Sequence, residues 1–260
     1  MSGLEPIRRT LALARHELAL LLTDLEPVIV LIAMPIAMIA FLQPVYHSML
    51  AGLGHRHATG AQQTVPGMIV MFAFFLVGYV GFNFFREHSR NTWERLRASP
   101  ARPLEIIAGK ILPVLLMGAF QMAVLAGVGR ALFGFDPQAG WAAFALVGAS
   151  YLLCLAGLGV ALVGVCRTSQ QVNAFANLGA ILGAGLGGAL VPVALLPGWV
   201  HAVAPAVPTY WAMRGFESVV LGGGAGEMWP SVLVLLAFTA GFVALAATTL
   251  RFAETKQGWE

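Results

Sequence analysis

Long apolar stretches dominate this chain, and they restrict it to folds that cross a membrane. Only 10% of its residues are charged, whereas a soluble domain carries roughly 25%. Each stretch is long enough to cross a hydrocarbon core about 30 Å thick as an α-helix. The stretches lie near residues 27–46, 65–85, 105–129, 140–166, 170–190 and 230–250. The sequence therefore predicts an all-α integral membrane protein, with six transmembrane helices in a single domain over residues 1–260.

The distribution of Lys and Arg predicts how these helices are oriented. If the N-terminus is cytoplasmic, 12 of these residues fall on the cytoplasmic side and 3 on the other side. The three are Arg56, Arg130 and Arg214. Because loops rich in Lys and Arg stay in the cytoplasm, both termini are predicted to be cytoplasmic. The net charge of +3 is too small to indicate nucleic acid as a partner.

Residues 4–25 have the pattern of an amphipathic helix. Apolar residues recur every three or four positions along one face, and they are Leu4, Ile7, Leu11, Ala14, Leu18, Leu21, Leu22 and Leu25. Glu17 falls on the opposite, polar face. Such a helix is expected to lie flat in the headgroup layer of the bilayer. The alternative is that it forms the frayed start of the first span.

The loop between the second and third stretches is rich in arginine and has the signals of an ordered element. Ser89 or Asn91 can cap the start of a helix there. Pro100 and Pro103 prevent the helix from continuing. The sequence therefore predicts a short helix over residues 89–99 on the cytoplasmic side.

Residues 191–229 are apolar but are interrupted by prolines. Pro192, Pro197, Pro205 and Pro208 leave pieces too short to cross a bilayer, which favours a re-entrant or interfacial hairpin on the outer side. The same segment contains aromatic residues that fit an interfacial belt, namely Trp199, Tyr210, Trp211 and Trp229. The alternative is two further, unusually short spans.

Several motifs associated with chemistry are incomplete in this chain. A phosphate-binding P-loop requires Gly at the position of Leu104 and Ser or Thr at the position of Ile111, so no ATP hydrolysis is expected here. His55 and His57 have no third ligand nearby in the sequence, so no metal site is predicted. No set of catalytic side chains at membrane depth is evident either.

Two other features are more informative. Gly179, Gly183 and Gly187 form a stripe of small residues that would let another helix approach closely. That helix could belong to this chain or to a second subunit, and we favour a subunit interface. Neutral polar residues lie within the spans, where they can bond between helices or line a translocation path: Gln43, Asn83, Gln121, Asn173 and Asn177. Cys154 and Cys166 are predicted to be buried and lie too far apart in a helix to form a disulfide with each other.

Two blocks of the sequence resemble the permeases of ABC-2-type exporters. The first, "REHSRNTWERLRASPARPLEIIAGK", supplies Arg86, Glu87, Thr92, Glu94, Leu96, Pro100, Glu105, Gly109 and Lys110 of the family pattern. It departs from that pattern at Asn91, where the family usually has Gly. The second block supplies Ser169, Leu186, Gly187, Gly188, Pro192, Pro197, Trp199, Pro208, Trp211 and Ala212.

The resemblance implies a transport permease rather than an enzyme, located in the plasma membrane of a prokaryote. Residues 89–99 would be the coupling helix that contacts a separate ABC ATPase, through Arg90, Thr92, Trp93, Glu94, Arg95, Leu96 and Arg97. That ATPase would bind ATP and Mg²⁺, with no cofactor on this chain. A second permease, identical or a sister protein, would pair with the first and fifth spans.

By the same resemblance the outer hairpin caps the translocation path, with Pro197, Trp199, Pro208 and Trp211 as its marked residues. We expect export of a small amphipathic molecule such as a drug, an antibiotic or a lipid. The alternatives are a polysaccharide or glycolipid export permease of the same family, a membrane-embedded enzyme, and an assembly protein without a transport role.

Overall fold

The computed structural model describes residues 29–54, 58–89, 103–222 and 226–250, together with residues 8, 10–15 and 17–18 near the N-terminus. This part of the chain is helical and contains no strand. We number its α-helices in chain order, with α1 comprising the described residues of 8–18. The others are α2 (Met34–Gly52), α3 (Ala61–Ala73), α4 (Leu76–Ser89), α5 (Pro103–Phe133), α6 (Trp141–Val165), α7 (Ser169–Leu186), α8 (Gly198–Val203), α9 (Pro208–Val220) and α10 (Trp229–Thr249).

Five of the described helical segments are long and apolar enough to cross a membrane. They are Ile29–Gly52, Ala61–Arg86, Leu104–Phe133, Trp141–Val165 and Trp229–Thr249. They correspond to five of the six predicted stretches, although the second begins earlier and the first and third end later than predicted. The remaining stretch, 170–190, contains α7, which has 18 residues. Gln170, Gln171 and Asn173 make the first half of α7 too polar to be counted with the others.

The centre of the bundle is formed by α3, α4 and α6. The most apolar parts of these helices are mostly buried, whereas those of α2 and α10 are mostly exposed. Tyr151 of α6 donates a 3.0 Å hydrogen bond to the carbonyl oxygen of Val70 in α3, which ties two central helices together. Cys154 and Cys166 are buried and free, as the sequence predicted.

The second predicted span is interrupted at Phe74 and Phe75, between α3 and α4. The backbone there follows 3₁₀-type bonds, from Val77 N to Phe74 O at 3.1 Å and from Gly78 N to Phe75 O at 3.0 Å. The break brings the ring of Phe74 against the glycines of α7. Neither Pro nor Gly stands at this point, so the sequence predicts a continuous helix over 65–85.

The bundle has two ends, at each of which several helix ends and the loops between them meet. At one end, called here the α1 end, α1 packs where α4 ends and α5 begins. At the other, called the hairpin end, Thr59 donates to Phe133 O at 3.0 Å, and Ala139 N donates to Val219 O at 2.9 Å. Residues 191–222 belong to the hairpin end. The predicted coupling loop therefore starts and finishes at the α1 end.

α1 packs on the bundle through residues of both of its predicted faces. Ala14 of the apolar face is buried, whereas Leu11 of the same face is 53% exposed. Glu17, placed on the polar face by the sequence pattern, is only 4% exposed. Its carboxylate is buried because basic side chains of α4 and α5 bind it. The spacing of apolar residues within α1 predicts which residues share a face, but it cannot reveal partners that lie far away in the sequence.

Candidate functional site: the glycine face of α7 and its surroundings

The residues predicted to contact an ATPase lie outside the part of the chain that the structure describes. This applies to Arg90, Thr92, Trp93, Glu94, Arg95, Leu96 and Arg97. The same is true of His55 and His57. Within the described residues, no group of three His, Cys, Asp or Glu side chains could hold a metal ion.

The glycine stripe of α7 packs against other helices of the same chain. A Cβ atom at Gly179 would lie 2.5 Å from Cε1 of Phe74, and one at Gly183 would lie 3.1 Å from Cγ2 of Thr209. A Cβ at Gly187 would collide with the Thr209 hydroxyl. We call these three residues the glycine face. The preference for a subunit interface is thus corrected, because Phe74 and Thr209 fill the space beside the glycine face.

Hydrogen bonds attach the C-terminal end of α7 to the helices around it. The Thr209 hydroxyl of α9 donates to Gly183 O at 2.7 Å. The Gln63 amide of α3 donates to Gly188 O at 2.8 Å, and the Tyr46 hydroxyl of α2 donates to Leu190 O. Carbonyl groups at and just beyond the end of a helix lack partners within it, so the Gln63 and Tyr46 side chains supply donors to Gly188 O and Leu190 O. They also fix the start of the segment predicted to be the outer hairpin.

The opposite face of α7 is exposed and apolar. Phe175, Leu178, Ile181 and Leu182 are all more than half exposed. Asn177 is exposed on the same helix. If α7 crosses a membrane, this exposed Asn is costly unless another polar group or water reaches it. Any contact of α7 with a second subunit would therefore use this outward face rather than the glycine face.

The polar residues predicted to line a path do not come together. Asn83 and Gln121 are buried inside the bundle, and their side-chain amides have no hydrogen-bond partner among the described residues. Gln43 is half-buried and donates to the carbonyl oxygen of Thr59. Asn173 is half-buried and Asn177 is exposed, both on α7.

The described residues of the predicted outer hairpin form short helices, as the prolines there predict. Two 3₁₀ turns, Val193–Leu195 and Ala204–Ala206, flank α8. Pro208 opens α9, where its missing N–H costs nothing. The indole of Trp211 donates to Pro205 O at 2.9 Å, which folds α9 back on the preceding turn. Pro197 and Trp199 are exposed.

One carboxyl group of the hairpin is in an unusual environment. Burial raises the pKa of Glu217 in α9 to about 7, and the nearby Arg214 guanidinium acts in the opposite direction. The Arg214 guanidinium carbon also lies 5.4 Å from the centroid of the Trp211 ring. Glu217 therefore titrates near neutral pH, at the hairpin end of the bundle. Nothing near Glu217 in the sequence signals its burial, so the sequence predicts no role for it.

An apolar groove runs between α5, α6 and α10. Its volume is about 400 Å³. Its lining includes Leu104, Ile111, Leu153, Gly157, Val243 and Leu250. The Thr239 hydroxyl in its wall is already bonded to Leu235 O at 2.8 Å. The groove thus offers a recess for an apolar chain or ring and few groups for hydrogen bonding.

Phe74 and Thr209 shape the glycine face, although the sequence predicts no role for either residue. The spacing of the three glycines does predict close packing, because a stripe of small residues lets another helix or a bulky side chain approach α7. No pattern in the sequence identifies which residue that is.

Comparison with known proteins adds to this geometry. Residues 53–248 match the protein family described as "ABC-2 family transporter protein". The linearmycin resistance permease protein LnrN of Bacillus subtilis (strain 168) is 26% identical over 195 residues, or 75% of this chain and 50% of the relative. The probable multidrug ABC transporter permease YbhR of Escherichia coli (strain K12) is 29% identical over 141 residues, or 53% of this chain and 38% of the relative. The chain thus spans half or less of the length of these curated relatives.

Proposed function

Because the chain belongs to the ABC-2 family of transporter proteins, we propose that it is the permease subunit of an exporter driven by a separate ABC ATPase. Its substrate is a small amphipathic molecule, such as a drug, an antibiotic or a lipid, carried across the plasma membrane of a prokaryote. The observation that carries this proposal is the family match over residues 53–248, which includes α3 to α9 and most of α10.

The names of the relatives support the direction and the substrate class. One is described as a linearmycin resistance permease and another as a probable multidrug ABC transporter permease. Resistance to an external compound requires its removal from the cell or membrane, which favours export. The apolar groove between α5, α6 and α10 fits the same class of substrate, because few of its groups could bind a strongly polar molecule.

ATP hydrolysis is assigned to the partner. ABC-2 permeases work with ABC ATPase subunits, and Leu104 and Ile111 stand where a P-loop in this chain would need Gly and a hydroxyl residue. The coupling contact is assigned to residues 89–99. Support comes from the flanking helices, since α4 and α5 deliver both ends of this loop to the α1 end of the bundle.

We assign α7 as a sixth span. Its 18 residues cover about 27 Å as an α-helix, close to the thickness of the hydrocarbon core. Six spans put both termini in the cytoplasm, in agreement with the bias of Lys and Arg. A cysteine in place of the exposed His201 should then react with a membrane-impermeant maleimide in intact cells. Labelling only after the cells are broken would contradict this topology.

A second permease completes the transporter in this proposal, and it contacts α7 through the outward face. A contact there would bury Phe175, Leu178 and Ile181 and could provide a partner for Asn177. In a variant whose native cysteines are replaced by Ala, Leu178→Cys should form a cross-linked dimer, whereas Leu233→Cys on the exposed side of α10 should not. Equal cross-linking of both variants would contradict the assignment.

The transport assay uses the permease reconstituted with its ATPase in inside-out vesicles. An amphipathic fluorescent dye should accumulate in these vesicles when ATP is added. It should not accumulate when the ATPase carries a substitution in its own catalytic carboxylate. Accumulation that is equal in both preparations, or absent with a range of amphipathic compounds, would contradict the proposed export function.

A further inference from the structure

Charged side chains from three separate elements meet at the α1 end. Oε1 of Glu17 in α1 lies 3.0 Å from Nζ of Lys110 in α5. Oε2 of Glu17 accepts a hydrogen bond from Nη2 of Arg86 in α4. The side chains of Glu17 and Lys110 are only 5% and 3% exposed. Because buried charges are costly unless paired, this arrangement holds the three elements in one geometry.

Lys110 connects the same elements a second time. Its Nζ donates a 2.9 Å hydrogen bond to the backbone carbonyl of Asn83 in α4. The same atom lies 5.7 Å from the centroid of the Phe84 ring, within the range of a cation–π contact. One lysine of α5 therefore contacts both α1 and the last part of α4.

Gly109 explains how α1 can come close enough for this contact. A Cβ atom at residue 109 would lie 2.8 Å from Cβ of Leu13 and 3.4 Å from the carbonyl oxygen of Thr10. Any larger side chain would push α1 away from α5 and separate Glu17 from Lys110. Gly109 thus leaves the space in which α1 packs, and Lys110 provides the positive charge that binds Glu17 of α1. This is a role for a pair that is only a fragment of a P-loop motif.

Glu17, Arg86 and Lys110 lie where the predicted coupling loop leaves α4 and enters α5. Arg86 lies near the end of α4, and Lys110 lies in the second turn of α5. Residues 90–102 connect these two helices and contain all of the predicted coupling element except its first residue, Ser89, which ends α4. Glu17 therefore binds one residue on each side of that segment and holds its two ends together.

We propose that Glu17, Arg86 and Lys110 form a clamp that joins α1, α4 and α5 into one body at the root of the coupling loop. Glu17 acts in it as a positioning residue. In the transporter, the clamp makes a displacement of the loop move α4 and α5 together. The structural half of this proposal rests on the observed contacts, and the transport half rests on the proposed function.

The structural half is tested by hydrogen–deuterium exchange on the full chain in lipid nanodiscs. Glu17→Gln should speed amide exchange in residues 10–18 by about tenfold, because losing the clamp lowers the free energy needed to open that segment locally. Arg15→Gln is the matched control, since it also removes one charge from α1 but at an exposed position. It should exchange like the wild type. Equal rates for Glu17→Gln and wild type would overturn the clamp, as would an equal effect of the control.

A double substitution separates the clamp from a general loss of stability. Lys110→Met keeps the length of the side chain and removes its charge. If Glu17 and Lys110 act through each other, the double variant should change the exchange rate by less than the product of the two single effects. If the change in exchange rate of the double variant equals the product of the two single changes, the two residues act independently, and their pairing is overturned.

The transport half is tested by the ratio of dye transported to ATP hydrolysed in the complex with the ATPase. Glu17→Gln should keep ATP hydrolysis and lower this ratio several-fold, whereas Arg15→Gln should leave the ratio unchanged. A wild-type ratio for Glu17→Gln would overturn the coupling role. If the wild-type complex shows no transport at all, the proposed function fails, while the exchange experiment still decides whether the clamp exists.

Discussion

The hydroxyl of Thr209 donates a hydrogen bond of 2.7 Å to the backbone carbonyl of Gly183, and this bond joins α9 of the predicted outer hairpin to α7. The carbonyl also accepts from the Gly187 amide at 2.7 Å. The Thr209 methyl group fills the space above Gly183. The hairpin is therefore packed on α7 by both shape and hydrogen bonding, so the two should move together.

Thr209→Val removes the hydroxyl and keeps the shape of the side chain. Because Gly187 still bonds the Gly183 carbonyl, the loss should be that of one ordinary hydrogen bond, about 0.5–1.5 kcal/mol in the free energy of unfolding. Thermal unfolding of the purified protein measures it. Thr248→Val, whose hydroxyl bonds Leu245 in its own exposed turn, should have a smaller effect. The reverse order would contradict the role of Thr209.

Gly179→Ala places a methyl group against the ring of Phe74. The ring must shift, which should destabilise the protein by about 1–3 kcal/mol, a typical cost of overpacking. Phe74→Leu in the same protein should recover much of this loss, because it frees space at the point of collision. Thermal unfolding of the two single variants and the double variant checks the prediction. No recovery in the double variant would show that Phe74 is not the neighbour that matters.

Part of this architecture could be predicted from the sequence. The apolar stretches indicated the helices around α3, α5, α6 and α10, and the prolines indicated the broken hairpin. The partner of the glycine face could not be predicted, since stripes facing a second subunit and stripes facing Phe74 look alike in sequence. The burial of Glu17 was missed for a related reason. Its partners, Arg86 and Lys110, lie 69 and 93 residues away.

Glu217→Gln should change how stability depends on pH. Burial raises the pKa of Glu217 from 4.5 to about 7, so the folded protein favours the protonated carboxyl. This contribution to stability is complete below about pH 4.5 and is lost as the pH rises through about 7. Gln mimics the protonated form at every pH. The variant should therefore melt a few degrees above the wild type near pH 8 and together with it near pH 4.

The matched control for this measurement is Glu227→Gln, which changes an exposed carboxylate in the loop before α10. Between pH 4 and pH 8, the melting temperature of this control should change by the same amount as that of the wild type. A Glu217→Gln variant that melts with the wild type at both pH values would show that the Glu217 carboxyl is solvated in the folded protein.

Gln121→Met should stabilise the protein without affecting transport. Both amide atoms of Gln121 are buried without a hydrogen-bond partner among the described residues, and an unsatisfied group of this kind costs about 1–3 kcal/mol. Met has a similar length and no such requirement. Thermal unfolding should shift upwards while dye transport stays at the wild-type level. A loss of transport would instead place Gln121 on the translocation path.

The most direct test of the whole account is co-purification of the ABC ATPase with the permease. Leu96→Arg is predicted to insert into the membrane normally and to lose most of the ATPase, because a charge would replace the apolar side chain that the proposed coupling helix presents to the ATPase. Leu195→Arg makes the same change at an exposed position of the hairpin end and should retain the ATPase as the wild type does. If Leu96→Arg retains the ATPase in full and transports at the wild-type rate, residues 89–99 do not form the coupling contact.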